Sequence, residues 1–95
     1  FEISRAEQDR FAAQSQQRAE RATAEGWFKP EMAALTGEQV GNKKTPGPEG
    51  GVSSDEGIRP GTTVDALAKL RPAFEKDGTV TAGNASQINV GAAAT

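Results

Sequence analysis

The sequence predicts a small α/β structure made of two helices, a long irregular loop rich in Gly and Pro, and short strands. The first observation is the absence of Gly and Pro from residues 4–25, which is typical of a helix. The second is residues 41–61, where nine of twenty-one residues are Gly or Pro. The third is the β-prone triplet at residues 79–81, Thr-Val-Thr. The chain is therefore expected to contain helical, irregular and extended segments in turn.

The composition of the 95-residue chain allows only a marginal core. Leu, Ile, Val and Phe together number fifteen, below the roughly one-fifth of residues that usually accompanies a packed core. Sixteen further residues are Ala, which bury little area each. The formal net charge of −2 is not typical of a disordered chain. We expect the isolated chain to be poorly folded or to depend on partner chains.

The residue types that are missing exclude several kinds of site from this chain. It contains no Cys and no His, so it offers no thiol nucleophile, no disulfide, and no thiolate or imidazole metal ligand. We expect no metal, no nucleic-acid partner and no membrane span. No signal peptide is visible, so a cytoplasmic or organelle-matrix location is expected. The chain does not begin with Met and stops inside an apolar run at residues 91–95, which we interpret as a fragment.

The first helix is predicted over residues 4–25. Ser4 and Glu7 have the spacing of a capping box, and Gly26 is suited to the position after the helix end. Its Arg residues alternate with acids and glutamines, which favours a solvated face over a nucleic-acid surface. The buried stripe is predicted to comprise Phe11, Ala12, Ser15, and Ala19 or Ala22.

Two further segments are predicted to build the core. Trp27 and Phe28 are expected to pack the helix end onto the core, with stacking on a ligand as the alternative. The second helix is predicted over residues 64–71, capped by Thr62 or Thr63 and ended by Pro72. Between the two helices, residues 32–35 are expected to form a brief strand or a helical turn. The face of the second helix groups Val64, Leu67, Leu70 and Phe74.

Residues 78–91 are the strongest candidate for a binding segment. Gly83 frees the backbone, and Ala82 and Ala85 leave room for another group to approach. Asn84, Ser86 and Asn89 supply side chains that can fix an orientation by hydrogen bonds. The residues alone leave two interpretations open, namely a ligand-binding loop and a surface turn held by local bonds.

Three motifs in this order resemble the thiolase family of acyl-CoA acetyltransferases. Residues 78–86 match its Gly-Thr-Val-Thr-Ala-Gly-Asn-Ala-Ser run, and residues 67–74 match its Leu-Ala-Lys-Leu-Arg-Pro-Ala-Phe run. Gln87 and Val90 depart from the family's usual Gly and Asp. The third motif lies in the first helix and is carried by Ser4, Arg5, Gln8, Asp9, Ala12, Ser15, Arg18 and Ala19.

The resemblance implies a thiolase-like organisation of the chain. Residues 1–28 would lead into the loop domain that covers the coenzyme A site. Residues 29–77 would form a segment of that domain, with a flexible stretch at 41–61. Residues 78–95 would form a loop that contacts coenzyme A and the start of a returning core strand. The family's β-hairpin in the loop domain is doubtful here, because the alternation of apolar residues is lost.

The resemblance also implies a role in binding coenzyme A. Arg59 would meet the nucleotide end, Ala82 and Ser86 would line the pantetheine arm, and Leu70 and Phe74 would form an apolar wall. In thiolases a Cys carries the acyl group, so this chain would contribute no catalytic residue. The implied partners are acyl-CoA as substrate and the remaining thiolase domains or subunits, in a homo-oligomer.

The sequence leaves three hypotheses of function open. The first is the coenzyme A-binding part of a thiolase that condenses acyl-CoA or cleaves 3-ketoacyl-CoA. The second is a thiolase-derived binding or interaction segment in a larger assembly without turnover, which the departures at Gln87 and Val90 favour. The third is an unrelated small α-rich domain. As part of a full thiolase the chain would belong to an acyltransferase, whereas the 95-residue chain alone would not be an enzyme.

Overall fold

The computed structural model describes residues 1–95 and contains three α-helices and one 3₁₀ turn. In chain order these are α1 (Arg5–Ala24), the 3₁₀ turn (Lys29–Glu31), α2 (Gly37–Val40) and α3 (Val64–Ala68). Residues 1–15 and 61–95 form one compact unit, called here the terminal unit. Residues 16–60 form the second, called the central unit, and α1 runs from the first into the second. The two predicted helices are present, and α2 is an additional short one.

The predicted capping box begins α1. The Ser4 hydroxyl accepts from the Glu7 amide at 3.2 Å, and the Glu7 carboxylate accepts from the Ser4 amide at 2.9 Å and its hydroxyl at 2.8 Å. The Ser4 backbone N–H, followed by the Ser4 hydroxyl and the Arg10 charge, lowers the pKa of Glu7 below its ordinary value of 4.5. At the other end Gly26 has a φ of 76°, a conformation that a residue with a Cβ adopts at a cost.

The buried face of α1 differs from the predicted stripe. Phe11 is 74% exposed, whereas Ala13 and Asp9, one turn apart, are buried. Ala22 is buried as predicted and Ala12 and Ala19 are half-buried, whereas Phe11 and Ser15 are exposed, because the side of the helix that turns inward also carries Asp9 and its polar contacts. Trp27 is 62% exposed, and Phe28 is exposed as well, so neither anchors a core in this chain.

The apolar core is as small as the composition predicts. The only buried apolar residues are Ala13, Ala22 and Leu67. Asp9 and Thr81 are buried with them and are the two most enclosed side chains. The molecule therefore relies on polar contacts to a greater extent than a typical domain does.

The predicted short strands do not form. Each extended segment makes one isolated antiparallel bridge, Leu35 with Val52 and Pro72 with Thr81. In the first, the amides of Leu35 and Val52 donate to each other's carbonyls at 2.8 and 2.7 Å. A ladder needs several consecutive partners, and Pro72 has no N–H to donate to one. The triplet at residues 79–81 therefore does not become a strand, and only Thr81 takes part in a bridge.

The loop over residues 41–61 has a defined hydrogen-bonded path. It follows α2, whose N-terminus is closed by a capping box between Thr36 and Gln39. The Asn42 side chain then accepts from the amides of Lys44 and Thr45, each at 2.9 Å. The Asp55 side chain accepts from the Gly57 amide at 2.7 Å in the same way. Such turns stabilise an irregular backbone locally, and the flexibility of this loop remains a prediction.

Helix α3 is shorter than the predicted segment at residues 64–71. The Thr63 hydroxyl caps it by accepting from the Ala66 amide at 3.2 Å, as one of the two predicted caps. It ends at Ala68, because Pro72 cannot donate to the Ala68 carbonyl and disfavours a helical backbone at Arg71. Among all the helices, none is long and apolar enough to cross a membrane.

Candidate functional site

The loop at residues 79–86 is held by one side chain, Asn84, which uses both ends of its amide. Its Oδ1 accepts from the Thr81 amide at 2.8 Å, and its Nδ2 donates to the Thr79 carbonyl at 3.0 Å. The amides of Asn84 and Ala85 donate back to the Thr81 carbonyl at 3.2 and 3.1 Å. The Gly83 amide donates to the Thr81 hydroxyl at 3.2 Å. The loop is therefore closed on itself around Thr81.

A carboxylate of α1 joins this loop to the helix. Asp9 is 1% exposed, and its Oδ1 accepts from Asn84 Nδ2 at 3.1 Å. Its Oδ2 accepts from Arg5 Nε at 2.8 Å, one helical turn earlier. A buried carboxylate is tolerated only when it is paired and hydrogen-bonded, and both oxygens of Asp9 meet that condition.

Arg5 extends the network to the end of α3. Its Nη2 donates to the Leu67 carbonyl at 2.6 Å and to the Leu70 carbonyl at 3.0 Å. Carbonyls at a helix end lack partners within the helix and carry partial negative charge, so a guanidinium is a favourable partner for them. The Arg5–Asp9 pair thus fixes the end of α3 and the 79–86 loop to the same helix face.

The loop and the end of α3 also touch directly at Gly83. A Cβ on Gly83 would lie 2.5 Å from Leu67 Cδ2 and 2.6 Å from Leu70 Cδ1. A larger residue at this position would require the flexible ends of both Leu side chains to shift. A second contact to the helix comes from Gln8, whose Nε2 donates to the Thr79 hydroxyl at 2.9 Å.

The structure brings one predicted pair of site residues together. Leu70, a predicted wall residue, lies against Gly83, which directly follows Ala82, a residue predicted to line the arm. Ser86 is the last residue of the loop, it is exposed, and its hydroxyl makes no hydrogen bond within the chain. Phe74 lies in the same unit and is 82% exposed.

Arg59 lies in the central unit, unlike the other four predicted residues. Its backbone amide donates to Gln16 Oε1 at 3.0 Å, which fixes the backbone at the end of the long loop. Arg59 as a whole is exposed. No group of three or more acidic, His or Cys side chains is arranged to hold a metal ion.

The sequence reasoning missed the scaffold beneath the loop. Arg5 and Asp9 were noted only as part of a motif, although their four-residue spacing places them on one helix face. Asp9 lies one turn from the buried Ala13, and the predicted stripe contained neither residue. Its partner Asn84 could not have been assigned, because the two residues are 75 positions apart.

The whole chain is similar to known proteins of one family. Residues 1–95 match the family described as "Thiolase, N-terminal domain". The chain is 56% identical over 94 residues to the "Probable acetyl-CoA acyltransferase" of Staphylococcus epidermidis, covering 99% of this chain and 23% of that protein. It therefore spans less than a quarter of the length of this relative.

Two solved structures resemble the fold. The dimeric peroxisomal thiolase of Saccharomyces cerevisiae superposes with a TM-score of 0.73 at 45% identity, over 90% of this chain and 20% of that one. The human mitochondrial 3-ketoacyl-CoA thiolase in complex with CoA superposes with a TM-score of 0.72 at 46% identity, over 90% of this chain and 19% of that one.

Proposed function

The chain belongs to the thiolase family, and from that premise we propose that residues 1–95 form the coenzyme A-binding part of a thiolase-like acyl-CoA acetyltransferase. The whole protein would catalyse the condensation of acyl-CoA or the thiolytic cleavage of 3-ketoacyl-CoA. The acyl-carrying Cys and the groups that move protons would lie outside this chain, which contains neither Cys nor His. The chain would supply binding and orientation of the substrate.

The observation that carries the proposal is the loop at residues 79–86, which ends at Ser86 with a hydroxyl that makes no hydrogen bond within the chain. The Asn84 side chain and the amides of Thr81, Gly83, Asn84 and Ala85 are bonded within the loop or to Asp9, whereas the Ser86 hydroxyl is exposed with a donor and an acceptor available. A pantetheine arm carries amides that can bond such a hydroxyl. The small side chain of Ala82 and the apolar side chain of Leu70 would lie along the arm. The solved human relative is in complex with CoA, which supports coenzyme A as the ligand of the whole protein.

The nucleotide end of coenzyme A would meet Arg59. A guanidinium binds phosphate through two parallel hydrogen bonds or stacks on the face of adenine. The bond from the Arg59 amide to Gln16 would keep the backbone in place while the side chain meets the ligand. Phe74, which is strongly exposed, would extend the apolar wall beside the arm.

The exposed apolar side chains support the proposal that further thiolase domains or subunits cover this segment. Ile88 and Val90 are fully exposed, and both follow the loop that would lead into a core strand. Such side chains gain roughly 25 cal/mol for each Å² of apolar area that a partner buries. One solved relative is dimeric, and we propose a homo-oligomer for the whole protein. Its location would be cytoplasmic or an organelle matrix.

The experiment that tests the proposal uses alanine variants in the full-length protein that carries this chain. Arg59→Ala is expected to raise the KM for coenzyme A by roughly 10- to 100-fold, since a charge-assisted hydrogen bond contributes about 1.5–3 kcal/mol. Ser86→Ala is expected to raise it by roughly two- to tenfold, since a neutral bond contributes about 0.5–1.5 kcal/mol. Arg18→Ala and Ser54→Ala, at exposed positions outside the site, are the matched controls.

A second candidate function is a thiolase-derived binding or interaction segment without turnover. It is favoured by the two departures from the family pattern, at Gln87 and Val90. Gln87 stands where the family usually has Gly, and its Oε1 accepts from Asn89 Nδ2 at 3.2 Å. Saturable turnover of acyl-CoA by the full-length protein contradicts this candidate. Coenzyme A binding without turnover supports it.

A further inference from the structure

We propose that Asp9 is a positioning residue for the coenzyme A loop and acts through Asn84, with Arg5 locking both to the end of α3. This inference rests on the proposed function for its effect on the substrate. It rests on the geometry of the terminal unit alone for its effect on the loop. Asp9 itself lies under the loop and would not touch the ligand, because its side chain is almost completely buried.

Asp9 holds the side chain of Asn84, whose hydrogen-bonding capacity is otherwise used up. Asn84 donates one proton to the Thr79 carbonyl and one to Asp9, while its oxygen accepts from the Thr81 amide. This arrangement fixes both the position and the rotation of the amide plane. Without the acceptor on Asp9, the Asn84 amide would lose the one bond that joins it to α1.

The Asp9 carboxylate also orients Arg5. The bond from Arg5 Nε to Asp9 holds the guanidinium so that Nη2 reaches the carbonyls of Leu67 and Leu70. A planar guanidinium has a fixed geometry of donors, so fixing one edge fixes the other. Asp9 therefore sets the position of the Leu70 backbone as well as that of the loop.

The proposed binding surface requires that the 79–86 loop and the end of α3 are both held in place. Gly83 packs closely against the ends of the Leu67 and Leu70 side chains, so the position of the loop relative to the end of α3 determines whether this contact is made. Interactions through a buried ion pair add little net stability but can specify one arrangement over others. We infer that this pair serves to hold Ala82 and Leu70 on one continuous wall.

The consequence for the substrate is a change in binding without a change in chemistry. If the loop occupies its competent arrangement only part of the time, the apparent affinity falls by that fraction. Asp9→Asn keeps the size of the side chain but has only one oxygen to serve both Arg5 and Asn84. It is expected to raise the KM for coenzyme A by about tenfold, equivalent to about 1.4 kcal/mol, while kcat changes less than about threefold.

The experiment compares Asp9→Asn with Asp77→Asn in the full-length protein. Asp77 is an exposed acid of the same unit with no bond in the structure, so the control makes the same change of charge. Steady-state kinetics with coenzyme A give KM and kcat separately. Hydrogen exchange of the amides of Thr81, Gly83, Asn84 and Ala85, which are bonded within the loop, reports its opening without any reference to activity.

The expected result is loop exchange about tenfold faster and a raised KM in Asp9→Asn, with both unchanged in Asp77→Asn. Exchange and KM within twofold of the parent overturn the proposal, as does a fall in kcat with KM unchanged. Failure of the proposed function looks different, since the unmodified protein would then show no dependence on coenzyme A. In that case, faster loop exchange still supports the positioning of the loop, and unchanged exchange still overturns it.

A second variant keeps the test decisive if Asp9→Asn does not fold. Arg5→Lys keeps the charge beside Asp9 but cannot reach Asp9 and two carbonyls with a planar fork. It is expected to raise KM by about threefold and to speed exchange at the Leu70 amide, with Arg18→Lys as the control. An Arg5→Lys protein with unchanged KM and unchanged exchange overturns the proposal.

Discussion

The terminal and central units are held by different kinds of interaction. In the terminal unit, side chains that are 62 to 75 positions apart in sequence bond to one another around a buried carboxylate. In the central unit, most bonds are local, as between Thr36 and Gln39 or between Asn42 and Lys44. The unit that carries the candidate loop therefore depends on a few long-range polar contacts, whereas the long loop of the central unit depends on many short-range ones.

The largest expected effect comes from removing the buried acid. Asp9→Ala leaves Arg5 and Asn84 without their shared partner, and breaking a buried polar pair costs about 3–5 kcal/mol; the partial exposure of Arg5 places the expected value at the lower end. Native-state hydrogen exchange of the full-length protein should show this loss in the loop amides. Asp55→Ala, which removes the local turn bond to Gly57, is the matched change in the central unit and should cost less than about 1 kcal/mol. Equal effects would contradict the comparison.

The next largest effect is expected where the loop meets α3. Gly83→Ala places a Cβ against Leu67 Cδ2 and Leu70 Cδ1, so both side chains must shift. Overpacking of this kind costs about 1–3 kcal/mol. Gly50→Ala in the central unit meets nothing within 4 Å and serves as the control. The measurement is the opening free energy of the loop amides, and a neutral Gly83→Ala would show that the close approach is not required.

A smaller and more local effect is expected in the central unit. Thr36→Ala removes the cap of α2 and should cost about 1 kcal/mol at that helix. The measurement is hydrogen exchange of the Gln39 amide, which should become faster because this amide donates to the Thr36 hydroxyl at 3.2 Å. Thr45→Ala, whose hydroxyl makes no bond, is the control. If the change spreads to the loop amides of the terminal unit, the two units are not independent in stability.

The smallest effect concerns pH and the start of α1. Because the pKa of Glu7 is lowered in the folded chain, its ionised form stabilises the capping box at pH values above 4.5, and this contribution is lost as the pH falls through the lowered value. An NMR titration should give a Glu7 pKa below 4.5, and Ser4→Ala should bring it back toward that value. An unshifted titration in the parent protein would contradict the bonds to Ser4.

The local features of the fold could be predicted from the sequence, and the long-range ones could not. The capping box of Ser4 and Glu7, Gly26 after α1 and Thr63 before α3 depend on residues within one helical turn. The exposure of Phe11 and Trp27 was missed because burial depends on what lies opposite, which no local pattern contains. The strand at residues 79–81 was overestimated because β propensity does not supply a partner strand.

The candidate site divides in the same way. Ser86, Ala82 and Leu70 follow from the two matched motifs, and the structure brings Leu70 to the loop of Ala82 through Gly83. The roles of Arg5, Asp9 and Asn84 follow from contacts across the chain and required the structure. The segments proposed to meet the ligand can thus be recognised as motifs, whereas the residues that hold them could be identified only from the structure.

The most direct test of the central claim is a segment exchange in the human mitochondrial 3-ketoacyl-CoA thiolase, whose structure with CoA resembles this chain. Residues 1–95 would replace the matching segment, and calorimetry would measure the Kd for coenzyme A of the folded chimera and of the host. We expect the chimera to have a Kd within about tenfold of that of the host. In the chimera, Ser86→Ala should raise this Kd, whereas Ser54→Ala should leave it unchanged. A folded chimera that no longer binds coenzyme A would contradict the claim that this chain forms the binding part of a thiolase.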